Sequence, residues 1–465
     1  DPLHQDRQAV VGGDLLEAAA QAGYSEDLIL SDVVHTAAAR DLIVNAGLTE
    51  VVTESAPGSA EPVPSTSSPA QQPSGCVVVH VPAAGEGIER AEADGLAQRL
   101  ASLPAHWRVV VTSPEPLDAA DLERVTGRRP ADEDGAAGDT AVAFRAVRDL
   151  DPRGTIAFLT ECDDLWDSGR PVGSSGDGVG DGSDDSDGKE GGDDGVDLVL
   201  RITAGSLNGP EQGADDVARR QVLDCLLDSP GHVAGLIDLF ESHSSLGVAM
   251  PAACHIGQPH GGPQWDGLAG AAEALSRRLG LTAALDPTAP AMPVGAMFLA
   301  RPEALRTLSE GAKELVRLTE QAAADPEQAV RRLRRARAAE VLELLTVYAA
   351  MSSGFHPREV LTPAWAGRLY GSLAYKQRAL TADLPAYTDE QVRFLRARFG
   401  PRAGLGSRVR SYVDVHHPEM AGALKPAYRY VTGGTKGITD GVKGAARSLS
   451  GRLRPRRSAR PASDA

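Results

Sequence analysis

Acidic residues are the first candidates for chemistry in this sequence. Between residues 173 and 195, seven Asp and one Glu lie in the run GSSGDGVGDGSDDSDGKEGGDDG. Counted from Ser183, the residues Asp185, Asp187, Gly188 and Asp194 fall at positions of an EF-hand calcium loop. However, Ser occupies the first ligand position, and Asp194 replaces the bidentate Glu that closes such a loop. We therefore interpret the run as an acidic, disordered insert and not as a calcium site.

A pair of carboxylates outside this run is a more specific candidate for metal binding. Asp149 and Asp151 directly follow a predicted strand at 139–147. Two acids in this position can hold a divalent cation against the diphosphate of a nucleotide-sugar. The sequence predicts no other cofactor, and the same spacing also arises without function in an acidic chain. Asp149 and Asp151 are thus the candidate metal ligands.

Two glycines stand where a phosphate-binding turn would lie. Gly85 and Gly87 follow the apolar run CVVVHVP (76–82) and precede a predicted helix. In dinucleotide-binding folds such glycines let the backbone approach a phosphate group at the helix amino terminus. Arg90 occupies the place of the third glycine, so the match is partial. The alternatives are a cofactor-binding turn at Gly85 and Gly87 and a plain strand-to-helix connection.

The elements that must position these groups alternate along the chain. Short apolar runs predict strands at 76–82, 107–113, 139–147, 196–202, 245–252 and 293–300. Helical periodicity predicts helices at 88–103, 214–228, 231–242, 266–279 and 327–350. Strands that alternate with helices favour a parallel sheet covered on both faces. The predicted fold class is α/β, with a Rossmann-like, mostly parallel sheet flanked by helices.

Composition divides the chain into four parts. Residues 1–53 form a small helical segment, with helices at 14–22 and 33–48, and a Pro/Ser-rich linker follows at 54–75. The α/β domain extends over 76–380 and carries the insert 173–195. A tail at 381–465 begins helical and becomes basic, and we expect both the linker and most of the tail to be disordered.

Charge and cysteine content exclude several function classes. The net charge of −17 argues against general nucleic-acid binding. Four cysteines without a CxxC pair indicate neither a disulfide framework nor a zinc ribbon, which points to the cytoplasm. No apolar run approaches the ~20 residues of a membrane span. Residues 423–465 nevertheless hold ten Lys and Arg against two Asp, so this tail is a candidate tether to an anionic membrane surface.

Several ordered blocks resemble one known family. They are PVGAMFLARPEAL (293–305), RRQVLDCLLDSPGHVAGLIDLFESHSSLGVAMP (219–251), HIGQPHGGPQW (255–265) and PREVLTPAWAGRLYGSLAYK (357–376), preceded by DPLHQDRQAVVGGDLLEAAAQAGYSEDLI (1–29). Together they resemble the carboxy-terminal half of the rhamnan synthesis protein F family of bacterial surface-polysaccharide proteins. The resemblance implies a further, glycosyltransferase-like half upstream of Asp1.

The resemblance also implies an activity and partners. It implies a glycosyltransferase that moves rhamnose from dTDP-rhamnose to a lipid-linked glycan, working with other polysaccharide-synthesis enzymes at the inner face of the membrane. Substrate-binding residues are expected at Arg201, His255, Trp265 and Arg301; the last three follow predicted strands, where open α/β sheets bind ligands. The sequence assigns no catalytic residue.

The chain departs from the family where cations are expected. Of an Asn-Arg-Gly-Arg-Asp stretch, only Arg153 and Gly154 remain, and TAGSLNG (203–209) replaces a His-Ser-Lys-Lys loop. Glu340 stands where the family has a His. Because such cations would stabilise a diphosphate, their loss favours an alternative role as a non-catalytic scaffold or glycan-binding module. A nucleotide-binding enzyme that uses the Gly85–Gly87 turn is a third reading.

Overall fold

The Val-rich runs of the sequence form the centre of an eight-stranded sheet. This computed structural model describes residues 12–54, 73–82, 84–128, 142–147, 151, 153–161, 196–204, 212–253, 265, 267–287, 289–321 and 328–381. The strands are β1 Thr49–Val51, β2 Gly75–His80, β3 Arg108–Ser113, β4 Val142–Ala146, β5 Leu198–Thr203, β6 Leu246–Pro251, β7 Phe298–Ala300 and β8 His356–Leu361.

The strand order across the sheet is β1-β8-β6-β7-β5-β2-β3-β4. Every neighbouring pair is parallel except the two that involve β7, which runs antiparallel to β5 and to β6. Helices cover both faces of this sheet. The predicted fold class, α/β with a Rossmann-like and mostly parallel sheet, is confirmed.

The helices are numbered in chain order. They are α1 Gly12–Gln21, α2 Glu26–Val33, α3 Ala39–Asn45, α4 Ala84–Ala93, α5 Leu96–Leu100, α6 Ala119–Thr126, α7 Thr155–Glu161, α8 Gln212–Leu227, α9 Pro230–Ser242, α10 Ala269–Arg278, α11 Pro302–Gln321, α12 Gln328–Ser352 and α13 Pro363–Thr381. A single 3-10 turn, Val294–Ala296, precedes β7.

Two hydrophobic cores lie on the two faces of the sheet. Along β2, Cys76 and Val78 belong to one core, whereas Val77 and Val79 belong to the other. The first core is completed by α2, α3, α7, α10, α11 and α12, and the second by α4, α5, α6, α8 and α9. Because β2 is buried on both faces, its sequence is a continuous apolar run. The amino-terminal helices therefore share a core with the sheet.

Several predicted elements differ from the observed ones. The single helix predicted over 88–103 is two helices, because Gly95 takes a left-handed conformation (φ 62°) between α4 and α5. The helix predicted over 33–48 begins only at Ala39. Strands β1 and β8 and helices α2, α6, α7 and α11 were not predicted. The strand predicted over 293–300 is restricted to the three residues of β7.

The chain divides into two compact units, residues 1–373 and residues 374–465. Most of the linker at 54–75, the insert at 173–195 and all of the tail from 382 onward lie outside the described residues. Within the described part, no helix combines the length and the apolar character that crossing a membrane requires.

Candidate functional site

The strand order reverses at β2. From β2 the chain builds β3 and then β4 on one side, and β5 returns to the other side of β2. Open α/β sheets bind ligands in the crevice at the carboxyl ends of the strands at such a switch point. His80 ends β2 and pairs in register with Thr203, which ends β5. Polar side chains at this edge are therefore the candidates for a binding site.

A set of buried polar side chains lies beneath the switch point, on the face of the sheet that α7 and α12 cover. We call it the switch-point cluster, and it consists of His80, Asp151, Arg153, Thr155, Arg201 and Glu343. Apart from Arg153, all of these residues are less than 9% exposed. Buried polar groups are costly unless they are hydrogen-bonded, so their contacts decide what the cluster can do.

Four members of the cluster form a closed ring of hydrogen bonds. Arg201 Nη2 donates to Thr155 Oγ1 (2.8 Å) and to the backbone oxygen of Arg153 (2.8 Å). Thr155 Oγ1 donates to Glu343 Oε1 (2.5 Å), and Arg153 Nη1 donates to Glu343 Oε2 (2.5 Å). Both oxygens of Glu343 are therefore engaged, and its charge raises the pKa of Arg153. The ring fixes both guanidinium groups at the edge of the sheet.

Asp151 acts as the amino-terminal cap of α7. Its Oδ1 accepts hydrogen bonds from the backbone N–H groups of Thr155 (2.8 Å) and Arg153 (3.2 Å), and its Oδ2 accepts one from Ile156 (2.9 Å). Carboxylates are favoured in this position because helix amino termini present unsatisfied N–H groups. Burial raises the pKa of Asp151 although these hydrogen bonds oppose the shift. Its two oxygens are thus committed to the backbone.

His80 is the least satisfied member of the cluster. Its Nδ1 lies 3.1 Å from Thr112 Oγ1, and its Nε2 is buried without a hydrogen-bond partner among the described residues. Burial, together with the charge of Arg201, lowers the pKa of His80 to about 3. The imidazole is therefore neutral at physiological pH. If Nδ1 carries the proton, Nε2 is an unfilled acceptor at the end of β2.

Gly154 brings the α7 turn against His80. Its φ is +62°, and a Cβ at this position would lie 2.4 Å from the His80 ring. Only glycine meets both requirements without strain, since it has no Cβ and adopts positive φ readily. Gly154 therefore lets the turn that carries Arg153 pack directly against the His80 ring.

The end of β5 is also held from the opposite face of the sheet. Arg219 of α8 is fully buried, forms an ion pair with Asp94, and donates from Nη2 to the backbone oxygen of Thr203 (2.6 Å). The switch point is therefore fixed by buried arginines on both faces, Arg201 on one and Arg219 on the other. Charge-assisted hydrogen bonds of this kind are stronger than neutral ones.

A strained turn lies at the same edge. Ala296 has a φ of +56° and follows Gly295, whose φ is +63°, immediately before β7. For a residue with a side chain the left-handed region costs about 1–2 kcal/mol. Backbone strain of this kind is concentrated at functional sites, so the turn is an additional reason to place a site at this edge.

The structure brings together only some of the residues predicted to bind substrate. Arg201 lies in the cluster, where its charge opposes the rise that burial causes in the pKa of Asp151. Trp265 follows β6 in the sequence, and its Nε1 donates to the backbone oxygen of Asp286 (3.0 Å) while its ring stacks on Tyr348 at 6.4 Å. Trp265 is 9% exposed and forms part of the core there.

Arg301 lies at the opposite edge of the sheet. It follows β7, and because β7 is antiparallel its end meets the beginnings of β5 and β6. Its guanidinium donates to the backbone oxygens of Leu246 (2.9 Å) and Phe240 (2.6 Å) and thereby caps α9. The expectation that Arg301 and Trp265 share a cleft assumed a parallel strand, and this geometry does not support it. A substrate-binding role for Arg301 stays a prediction.

The two glycines predicted to cradle a phosphate lie inside a helix. Helix α4 begins at Ala84, so Gly85 and Gly87 belong to its first turn and not to a preceding loop. A Cβ on Gly87 would lie 2.6 Å from Val81 Cγ1, whereas none of the described atoms lies within 4 Å of one on Gly85. Close packing explains Gly87 without a cofactor, and cofactor binding at these glycines stays a prediction.

The predicted metal site can be tested only in part. Asp149 and His255 lie outside the described residues, as do the acidic run and its EF-hand spacing. Both oxygens of Asp151 accept backbone hydrogen bonds, which explains this residue without a metal ion. Metal binding by Asp149 and Asp151 stays a prediction. The described part of the chain contains no group of three or more His, Cys, Asp and Glu side chains that could hold a metal ion.

Sequence reasoning missed three members of the cluster. His80, Thr155 and Glu343 come from distant parts of the chain, and their spacing carries no motif. Glu343 gave a usable signal: it is the only charged residue in the apolar run VLELLTVYAA (341–350). A lone acid on the buried face of a helix requires a partner, and Arg153 and Thr155 supply it.

Comparisons with known proteins identify no relative. No protein-family model matches the chain, and no curated protein matches it. Membership of the rhamnan synthesis protein F family therefore stays an expectation from the resemblance.

Proposed function

We propose that this chain is a glycosyltransferase-related component of surface-polysaccharide synthesis that binds the diphosphate of a nucleotide-sugar at the switch point. The observation that carries the proposal is the pair Arg153 and Arg201, which buried hydrogen bonds fix at the carboxyl edge between β2 and β5. The sequence resemblance adds dTDP-rhamnose as the donor and a lipid-linked glycan as the acceptor.

The two arginines have different parts in this proposal. The side chain of Arg153 is 28% exposed, so it can meet a ligand from solvent. Arg201 is 2% exposed and holds the backbone oxygen of Arg153, which makes it a positioning residue. A guanidinium that is already oriented loses little conformational entropy on binding a phosphate group. Arg153 is therefore the residue we expect to contact the diphosphate.

A second role, as a non-catalytic scaffold or glycan-binding module, is favoured by the carboxylates. Asp151 caps α7 with both oxygens, and both oxygens of Glu343 are bound by Arg153 and Thr155. All four carboxylate oxygens thus accept hydrogen bonds from the protein itself, which is typical of carboxylates that hold a structure together. The cluster thus supports binding more directly than it supports chemistry.

Calorimetry with dTDP-rhamnose, dTDP and a rhamnose glycan tests both roles. The informative variant is the double substitution Arg153→Gln/Glu343→Gln, which removes the cation without leaving a buried charge unpaired. We expect it to weaken binding of dTDP-rhamnose about tenfold or more, since a charge-assisted hydrogen bond contributes roughly 1.5–3 kcal/mol. Arg124→Gln/Glu92→Gln, an exposed pair 2.7 Å apart, is the matched control.

The outcomes separate the two roles. Binding of dTDP-rhamnose, with release of dTDP when a glycan acceptor is added, supports the transferase. Binding of the glycan alone supports the scaffold. Failure to bind any of the three, or equal loss of affinity in the double variant and in its control, contradicts the proposal.

A further inference from the structure

Exposed apolar side chains are concentrated in the amino-terminal helices. Eight large hydrophobic side chains are exposed in the described part of the chain, and five of them lie within residues 12–54. These five are Leu15, Tyr24, Leu28, Val44 and Val51, with exposed fractions between 42% and 73%. Scattered single residues of this kind need no explanation, and of these five only Leu15 lines a cavity, which makes that cavity the candidate interaction surface.

The same helices enclose an apolar groove. It has a volume of about 560 Å³ and lies among α1, α2 and α3. Its floor is aliphatic, formed by Leu15, Leu16, Ile29, Val33 and Leu42, while Thr36, Asp41 and Asn45 are its polar lining residues. The volume falls in the range of functional clefts, roughly 300–1,000 Å³. The groove is separate from the switch-point cluster.

The groove belongs to a strongly acidic segment. Residues 12–54 contain eight Asp and Glu against Arg40 alone, which gives 1 − 8 = −7. Toward the sheet, Asp27 binds Ser244 and Ser245, and Arg358 binds Glu26 and Glu50. Asp14, Glu17, Asp32 and Asp41 remain exposed. An apolar groove in an acidic segment is complementary to a ligand that has one apolar face and cationic groups beside it.

We propose that this groove binds a basic amphipathic helix of a partner protein. Such a helix places side chains at i, i+3, i+4 and i+7 into an apolar groove, and its Lys and Arg residues meet the surrounding carboxylates. An anionic lipid surface would be repelled by the same carboxylates, and a neutral apolar ligand would leave them without a counterion. The inference does not depend on nucleotide binding at the switch point.

The probe is a synthetic peptide with Leu at positions i, i+3, i+4 and i+7 and Lys on the opposite helical face, and its binding to the full chain is measured by fluorescence anisotropy. We expect it to bind, and we expect Leu15→Ser and Ile29→Ser each to weaken binding about tenfold, because both residues line the groove and each substitution removes an apolar contact. Leu373→Ser on α13, where Leu373 is 45% exposed, is the matched control and should have no effect. Circular dichroism confirms that each variant is folded.

Five results would overturn the proposal. A peptide of the same composition with shuffled Leu positions could bind equally well, or a Leu/Glu peptide in the same register could do so. The chain could self-associate through Leu15, seen as a concentration-dependent sedimentation coefficient that Leu15→Ser abolishes. Removal of residues 1–11 could raise peptide affinity about tenfold, which would make that segment the occupant. Binding to anionic vesicles that Leu15→Ser abolishes would point to a membrane.

Discussion

Gly154 sits where the α7 turn meets His80, and its substitution has a calculable cost. Gly154→Ala should lower the free energy of unfolding by roughly 2–4 kcal/mol, because the new methyl group meets the His80 ring and φ must stay positive. Gly280→Ala separates the two causes, since Gly280 has a φ of +68° but no atom within 4 Å of its Cβ position. Urea unfolding measures both. Equal losses in the two variants would show that the His80 contact contributes nothing.

Two buried histidines should make the fold sensitive to acid. The pKa of His80 and that of His356 are each lowered to about 3, chiefly by burial. A histidine in the unfolded chain has a pKa of about 6.5. Between these values the unfolded chain binds protons that the folded chain does not, so stability is full above pH 6.5 and is lost as the pH falls. The loss approaches about 1.4 kcal/mol per pH unit for each histidine.

Variants isolate this effect from other titrations. The pKa of Asp151 is raised by burial, so Asp151 acts in the opposite sense, but it is present in every variant compared. The free energy of unfolding is measured in urea at several pH values between 7 and 4. His80→Asn and His356→Asn should each reduce its slope against pH by about 1.4 kcal/mol per pH unit, which corresponds to one proton. A slope identical to that of the unsubstituted chain would mean that these imidazoles are not held neutral.

Sequence patterns predict single residues of the site better than they predict its connections. Arg201 is among the substrate-binding residues expected from the resemblance, and it lies in the cluster. Glu343 was not predicted, because its partner Arg153 lies 190 positions away and no local pattern links them. Asp151 was found as a potential metal ligand, but its hydrogen bonds to the start of α7 depend on a helix that was not predicted.

At the scale of elements, Arg301 joins the end of α9 to the start of β6. Arg301→Ala should cost roughly 2–4 kcal/mol in unfolding free energy, because it leaves backbone oxygens of Phe240 and Leu246 without their donors. It should leave the affinity for dTDP-rhamnose unchanged, since Arg301 lies at the opposite edge from the switch point. Unchanged stability with weakened binding would restore the original expectation that Arg301 contacts substrate.

The acidic insert joins α7 to β5, and the strand it precedes begins at the edge remote from the switch point. Residues 173–195 contain Val179 as their only large apolar residue, so their deletion removes almost no potential core. We expect the deletion variant to melt within ~5 °C of the full chain and to bind the same ligands, since a larger shift would exceed about 1 kcal/mol. Differential scanning fluorimetry and the calorimetry described above check both statements. A larger decrease in melting temperature would make the insert structural.

The elements that sequence patterns predicted best are those buried on both faces. β2, β5 and β6 are fully buried along their length, and all three were predicted from their apolar runs. β8 was missed because its sequence, HPREVL, contains a proline and three ionisable residues. Its Arg358 is buried only because Glu26 and Glu50 of the amino-terminal segment pair with it. No pattern within β8 could reveal partners more than 300 residues away in sequence.

At the scale of the whole molecule, charge is strongly segregated along the chain. Residues 423–465, which lie outside the described part, carry a net charge of +8, whereas the chain as a whole carries −17. We expect the full chain to sediment with anionic liposomes at low salt and a chain ending at Ala423 not to do so, because each Lys or Arg near such a surface contributes about 1 kcal/mol. The difference should vanish near ~0.5 M salt. Equal sedimentation of both chains would rule out a tether.

The antiparallel strand at the centre of the sheet has a consequence for biosynthesis. β5 and β6 are made before β7, yet in the finished sheet β7 lies between them and pairs with both. A nascent chain that ends before Phe298 therefore leaves unpaired one edge of β5 and both edges of β6, since β8 is made later still. Unpaired edges are templates for association with other chains. A ribosome that stalls between residues 251 and 298 would release a species more prone to aggregate than one that stalls after β7 is complete.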